Sequence, residues 1–329
     1  MRTKLLVHLI ALQLSGILFL SSPGCQSQKS RPQEKPITQL QLQSLNVPTF
    51  DRQQAFTFLT TQTDFGPRVP NTDAHARCLA YLESELHKSS QNVTLQSFTQ
   101  PGYDGVSLQL TNIIASFNLA ATSRILLCAH WDSRPWADQD QDPKNVNKGM
   151  PGANDGASGV AILLEVARLM MEHQPPVGVD IVLFDGEDYG HAQDLSNYLL
   201  GSRYFAHTKP GSFAPMFGIL LDMVGDKQLE IRKERNSLKF APDIVQLVWS
   251  IARDVGSSSF VDEIGHEIYD DHLPLNQAGI KTIDLIDFDY PDASNRYWHT
   301  MQDTPDNCSP ESLEEVGRVL LHLIYRLSS

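Results

Sequence analysis

The sequence predicts an α/β fold: a central, mostly parallel mixed sheet flanked by helices, in a single domain. Three observations predict it. Short, predominantly apolar runs recur at residues 125–129, 179–184, 217–224 and 282–286, the pattern of strands buried on both faces. Segments with apolar residues at three- and four-residue spacing alternate with them, as helices packed on a sheet require. The 329 residues, 41% hydrophobic and 20% charged, suit one large domain with a sizeable core.

At the N-terminus, Arg2 and Lys4 precede an apolar stretch from Leu5 to Leu20. A basic start and a short apolar core read as a secretory signal over residues 1–24. Gln13, Ser15 and Gly16 interrupt the stretch, which leaves it too short for a membrane span. Cys25 directly follows Gly24, which resembles a bacterial lipoprotein cleavage site and makes Cys25 the expected point of lipid attachment. The expected location is the extracytoplasmic face of the cell envelope, or the medium where Cys25 carries no lipid. The lipid is the only membrane contact expected. Residues 25–48, rich in Gln, Ser, Pro and charge, read as a flexible tether, and residues 49–329 as the folded domain.

Within that domain, residues 74–87 carry a helical pattern with Ala76, Leu79, Leu82 and Leu86 as expected buried positions. Residues 93–98 alternate with period two, and 106–117 continue the strand signal. The run 125–129 is the first fully apolar strand, with Cys128 as a small buried hydrophobe. Residues 160–171 read as a helix, and 179–184, 217–224 and 282–286 as further buried strands. The last helix opens at Ser309-Pro310, a side-chain cap followed by proline at the first helical position. Leu313, Val316, Leu320, Leu323 and Leu327 line its expected inner face. In such sheets the chemistry gathers at the carboxyl ends of the strands.

Several function classes drop out. The 39 acidic and 26 basic side chains leave a net charge of -13, which argues against a phosphate-binding surface and against nucleic acid as a partner. Cys78, Cys128 and Cys308 show no CxxC spacing, so a thiolate zinc site is not expected. The segment from Asp138 to Asp142 starts like a calcium loop. It has Pro143 where glycine is needed and Gly149 where glutamate is needed, and so reads as a solvated loop over the site. No G-x-S-x-G follows a strand, which argues against a serine hydrolase.

The segments at the ends of the buried strands are different in kind. The 125–129 run leads into His130-Trp131-Asp132, and a Gly152-Ala153-Asn154-Asp155-Gly156 loop opens the helix beyond it. The 179–184 run leads into Asp185-Gly186-Glu187-Asp188, and Asp222 lies near the end of the next. Asp270-Asp271-His272 and Trp298-His299-Thr300 come later in the chain. Zinc takes imidazole nitrogen and carboxylate oxygen, and Asp155, Asp188 and His299 offer three such ligands. Of the adjacent carboxylates at 187 and 188, one can bind metal while the other faces the reacting groups as an acid or base.

In this order the motifs HWD, GANDGASG, FDGED, LLDMVGD, DDHLPL and YWHT resemble the zinc-dependent M28 peptidase superfamily. Within it the chain looks most like the glutaminyl-peptide cyclotransferases, including bacterial secreted and lipoprotein relatives. The resemblance implies a zinc-exopeptidase-like catalytic domain over residues 49–329. It also implies one zinc held by Asp155, Asp188 and His299, with Glu187 as the acid-base residue. Asp222 and Asp270 become hydrogen-bonded partners of Glu187, and Trp298 a wall of the substrate pocket. Asp270-Asp271-His272 stands where aminopeptidases of the superfamily tend to read Ser-Asp-His, and Trp298 where they tend to have Tyr, which favours the cyclotransferase.

There are departures. Asp188 stands where the family usually has Glu; Ala129 and Val160 stand where animal cyclotransferases have paired cysteines; no tryptophan comes shortly after Glu187. His130 and Asp222 match the residues that hold a second zinc in aminopeptidases, so one zinc is expected and a two-zinc site is the alternative. The expected substrate is a peptide or protein N-terminus, its glutamine cyclised to pyroglutamate with release of ammonia. The alternatives are an M28 aminopeptidase and an inactive binding lipoprotein.

Overall fold

The computed structural model describes residues 46–191 and 194–328. The expected signal, Cys25 and most of the expected tether lie outside the described residues. Packing starts just inside the tether's expected limit, where Val47 rests against the core and Phe50 is buried. Among the described residues no helix is long and apolar enough to cross a membrane.

Helix α1 (Arg52–Asp64) begins at Asp51, whose carboxylate accepts the N–H groups of Gln53 and Gln54. Thr72 caps α2 (Asp73–Ser89) in the same way. Strands β1 (Val93–Pro101) and β2 (Ser107–Phe117) pair antiparallel, followed by β3 (Arg124–His130), α3 (Ala157–Glu172) and β4 (Gly178–Phe184). Next come α4 (Leu200–Thr208), β5 (Gly218–Asp222), β6 (Ile231–Lys233), α5 (Arg235–Phe240) and α6 (Pro242–Val255). The described chain closes with β7 (Phe260–Ile264), α7 (His272–Gln277), β8 (Thr282–Ile286) and α8 (Pro310–Arg326).

Six strands form the main sheet in the order β1-β2-β4-β3-β5-β8. The neighbours β4, β3, β5 and β8 run parallel, and β1 and β2 complete the sheet antiparallel. The sheet is therefore mixed and mostly parallel, as the apolar runs predict. Period-two alternation along β3 divides the core: Ile125, Leu127 and Ala129 face the cluster with α3 and α8, while Leu126 and Cys128 pack with Phe205 and Leu275. All seven residues of β4 are buried. The register sets His130 beside Phe184 and Asp222 beside Ile286, so the ends of four parallel strands open on one edge.

The last helix forms as expected, with Ser309 accepting the Ser312 N–H and Leu313, Val316, Leu320, Leu323 and Leu327 buried. One expected stripe is corrected. On α2 it is His75, Cys78, Leu82 and Leu86 that turn inward; Leu79 is half-buried and Ala76 exposed. His75 is drawn in by the Asp185 carboxylate at 2.9 Å and by stacking on Trp131 at 4.3 Å. The free cysteines Cys78, Cys128 and Cys308 are all buried.

Candidate active site

Loops at the open edge of the sheet bring the sequence's acidic residues together. Asp155 precedes α3, whose N-terminal N–H groups favour nearby negative charge. The loop before it is held by Asp303, which accepts the N–H groups of Asn154 at 2.7 Å and Asp155 at 3.2 Å. Arg68 is fully buried and donates to the carbonyls of Trp131, Pro151 and Gly152, tying the same loop to the end of β3. Gly156 takes φ 98°, and a Cβ there would lie 2.7 Å from the Asp132 carbonyl, so only glycine fits the turn into α3.

Asp132 decides the directions of the adjacent carboxylates after β4. One of its oxygens accepts the Glu187 N–H at 3.0 Å and the other the Asp188 N–H at 3.2 Å. With both backbone groups held, the two side chains diverge. Asp188 meets Arg134 at 3.0 Å and lies 3.5 Å from His299 Nε2. Glu187 lies 4.0 Å from His130 Nδ1. The Asp138–Asp142 segment is anchored over the site: Asp138 pairs with Arg134, and Asp140 accepts the Met301 N–H.

Asp155, Asp188 and His299 each offer a ligand atom, all within 4.8 Å of one another. One buried oxygen of Asp188, Oδ2, has no hydrogen-bond partner. Burial, with Arg134 and His130 nearby, holds His299 well below the usual histidine range, so its ring is neutral and free to coordinate. A nitrogen and carboxylate oxygens with an orphaned oxygen fit zinc. His299 takes φ 55° and Met223 φ 48°, left-handed backbone that costs on the order of 1–3 kcal/mol at a non-glycine residue and marks functional sites.

Electrostatics separates the remaining groups. Burial lowers the His130 imidazole, but Asp132, Asp155 and Asp222 outweigh it and hold the ring protonated. Its Nε2 lies 3.1 Å from Asp155 and 3.2 Å from Asp222. Burial, then the charges of Asp188, Asp270 and Asp271 against the pull of His130, pushes the Glu187 carboxyl well above its usual range. Burial and neighbouring carboxylates likewise raise Asp188, Asp222 and Asp270. Carboxyls gathered so densely are a poor arrangement without a cation.

The expected hydrogen bonds from Glu187 to Asp222 and Asp270 are absent. Asp222 is engaged by His130, and Asp270 Oδ1 accepts the Asp271 N–H; of the two, Asp270 acts on Glu187 through its charge. These groups open onto a cavity of about 380 Å³ walled by Tyr198, Ile268, Phe288 and Trp298. Trp298 stacks on His299 at 3.8 Å and meets Phe288 edge-on. Tyr198 supplies a pocket aromatic that the sequence shows no sign of close after Glu187, because the intervening loop folds back before α4. Asp132, Arg134 and Asp303 also escape the sequence reading as site residues; HWD marked only the first.

Many known proteins are similar to this chain in sequence and fold. A match to peptidase family M28 spans residues 112–324. A crystal structure of Bacteroides thetaiotaomicron glutaminyl cyclase bound to N-acetylhistamine is 44% identical, with a TM-score of 0.82, over 85% of this chain and 99% of that one. A Bacteroides thetaiotaomicron structure described as a leucine aminopeptidase precursor matches with the same identity, coverage and TM-score. The glutaminyl-peptide cyclotransferase of Bothrops jararaca is 26% identical over 268 residues, 69% of this chain and 67% of its own.

Proposed function

The chain belongs to peptidase family M28, and on that premise we propose that it is a zinc-dependent glutaminyl-peptide cyclotransferase. The observation that carries the reading is the placement of Glu187 beside the Asp155–Asp188–His299 group, in a small cavity roofed by Trp298. The chemistry supplied by a zinc ion held there is polarisation of the γ-carboxamide carbonyl of an N-terminal glutamine. Glu187 takes a proton from the substrate's α-amine, whose nitrogen forms a bond to the side-chain carbonyl carbon. Glu187 then returns that proton to the amide nitrogen, the carbon–nitrogen bond breaks, and ammonia leaves behind a five-membered lactam. Asp270, facing Glu187, raises its affinity for the proton in transit. Trp298, Phe288 and Ile268 exclude water and press the glutamine side chain back towards its own amine.

One zinc per chain belongs to the proposal. Protonated His130, bridging Asp155 and Asp222, supplies positive charge where a second ion would sit. The same three residues lie close enough to hold an ion, which favours a second reading, a two-zinc aminopeptidase. Attachment at the cell envelope through a lipid on Cys25 is also proposed; it rests on residues 1–25 and is tested by loss of membrane retention in Cys25→Ala.

The test is a paired assay on zinc-loaded protein with the metal quantified. Ammonia release from Gln-peptides, at one zinc per chain, is expected. Cleavage of aminoacyl-anilides without ammonia release, at two zincs, overturns the reading in favour of the aminopeptidase.

A further inference from the structure

His272 is wholly buried at the start of α7, directly after the Asp270–Asp271 turn, and neither ring nitrogen makes a hydrogen bond. Each nitrogen nevertheless faces a carboxylate. Nε2 lies 3.4 Å from Glu234 Oε2, and Nδ1 lies 3.8 Å from Asp284 Oδ2. Glu234 is rigid: it caps α5 by accepting the N–H groups of Asn236 and Ser237, and it accepts the Ile268 N–H at 3.0 Å. One carboxylate thus holds both ends of the segment from Ile268 to His272, which carries Ile268 and Asp270 into the cavity. Asp284 lies in the middle of β8 with both oxygens unpartnered, and its ligand atom, with those of Asp270 and His272, falls within 4.8 Å of the others.

A buried polar side chain with no partner is costly, and the His272 ring is the group of complementary polarity beside the unpartnered Asp284 carboxyl. An imidazole has two ring nitrogens, and here one is directed at each carboxyl group, so the ring can join both.

We infer that His272 is a positioning residue, set between Glu234 and Asp284 with one ring nitrogen towards each, and so fixing the turn that presents Asp270 to the reacting groups. The inference rests on the reading of Asp270 as the carboxylate that acts on Glu187. His272 touches neither substrate nor metal. The third group among the described residues close enough to hold an ion, Asp270–His272–Asp284, is on this account a bridge between side chains and not an ion site.

The experiment compares full-length, zinc-loaded wild type with His272→Gln, Asp284→Asn and the double variant, measuring kcat and KM for Gln-peptide cyclisation and zinc content. His272→Gln lowers kcat about 10-fold or more, with KM and zinc near wild type, because displacing a group near the chemistry costs orientation. The double variant regains about threefold or more of that loss, since the buried carboxyl left without its partner is removed together with it. Wild-type kcat in His272→Gln overturns the inference. So do a rise in KM without loss of kcat, a double variant no better than the single one, and loss of one metal equivalent, which would make the group a cation site. Where His272→Gln does not fold, the double variant is read instead, and wild-type kcat there overturns the inference. Failure of the cyclotransferase reading shows separately, as absence of ammonia release by the wild-type protein.

Discussion

Asp132 shows how one side chain sets the chemistry of two others. Its oxygens take the N–H groups of Glu187 and Asp188 separately, which sends one carboxylate towards the proposed ligands and leaves the other by His130. An asparagine at 132 has a single acceptor oxygen, so Asp132→Asn frees one of the two N–H groups. Zinc affinity in that variant falls about 10- to 100-fold, as loss of a supporting group around a metal site does, measured by competition with a chelator. Glu187→Gln behaves in the opposite sense, with turnover down about 100-fold or more and zinc content unchanged. Loss of zinc in Glu187→Gln would show that the members of the 187/188 pair had been exchanged. The residue types were legible in the sequence because zinc and acid-base chemistry accept few side chains. The directions were not: Asp132 lies 55 residues from Glu187 in the chain, and only the pairing of β3 with β4 brings them together.

At the scale of elements, α3 lies against the sheet so closely that Gly159 is obligatory. A Cβ there would overlap the Leu221 carbonyl oxygen on β5 and press on Ala129 on β3. Gly159→Ala therefore lowers stability by about 1–3 kcal/mol, the cost of overpacking, read as a lower urea midpoint with an unchanged slope. A midpoint equal to wild type would mean that α3 can lift from the sheet. Elements with strong local patterns were legible: the mostly apolar run of β4, and the capped and striped α8. Helix α1 was not read from the sequence, because its threonines and glutamines mask the buried Ala55, Phe58 and Leu59. On α2 the apolar stripe pointed to Ala76, whereas the His75–Asp185 pair rotates a different face inward. A buried hydrogen-bonded pair outweighs one small methyl group.

At the scale of the whole molecule, the excess of buried carboxyls makes stability depend on pH. Burial is the main cause that raises Asp185 to about 6 and Asp271, Asp287 and Asp303 to about 7, from 3.8. A raised carboxyl keeps its proton in the fold after the unfolded chain has lost it. Its contribution is full below about 3.8 and is lost as pH rises through about 6 to 7. Glu234, lowered from 4.5 to about 2, opposes this only at the acid end of the window, where the unfolded carboxyl begins to take up its proton. The Tm of the metal-free protein should fall on the order of 5 °C or more from about pH 4 to about pH 8, and zinc should reduce the fall. A flat or rising Tm without metal would refute it. By itself, the sequence determined the mixed α/β class, the positions of its main strands along the chain and the chemical kinds of residue at their ends. Strand and helix periodicity, and the needs of a metal, are written in neighbouring residues and residue types. The tertiary structure alone decided that His130 and not Glu187 takes Asp222, that Tyr198 walls the pocket, and that His272 lies between Glu234 and Asp284. Each depends on loops meeting across the strand order β4-β3-β5-β8, and long-range pairing leaves no local mark in the chain.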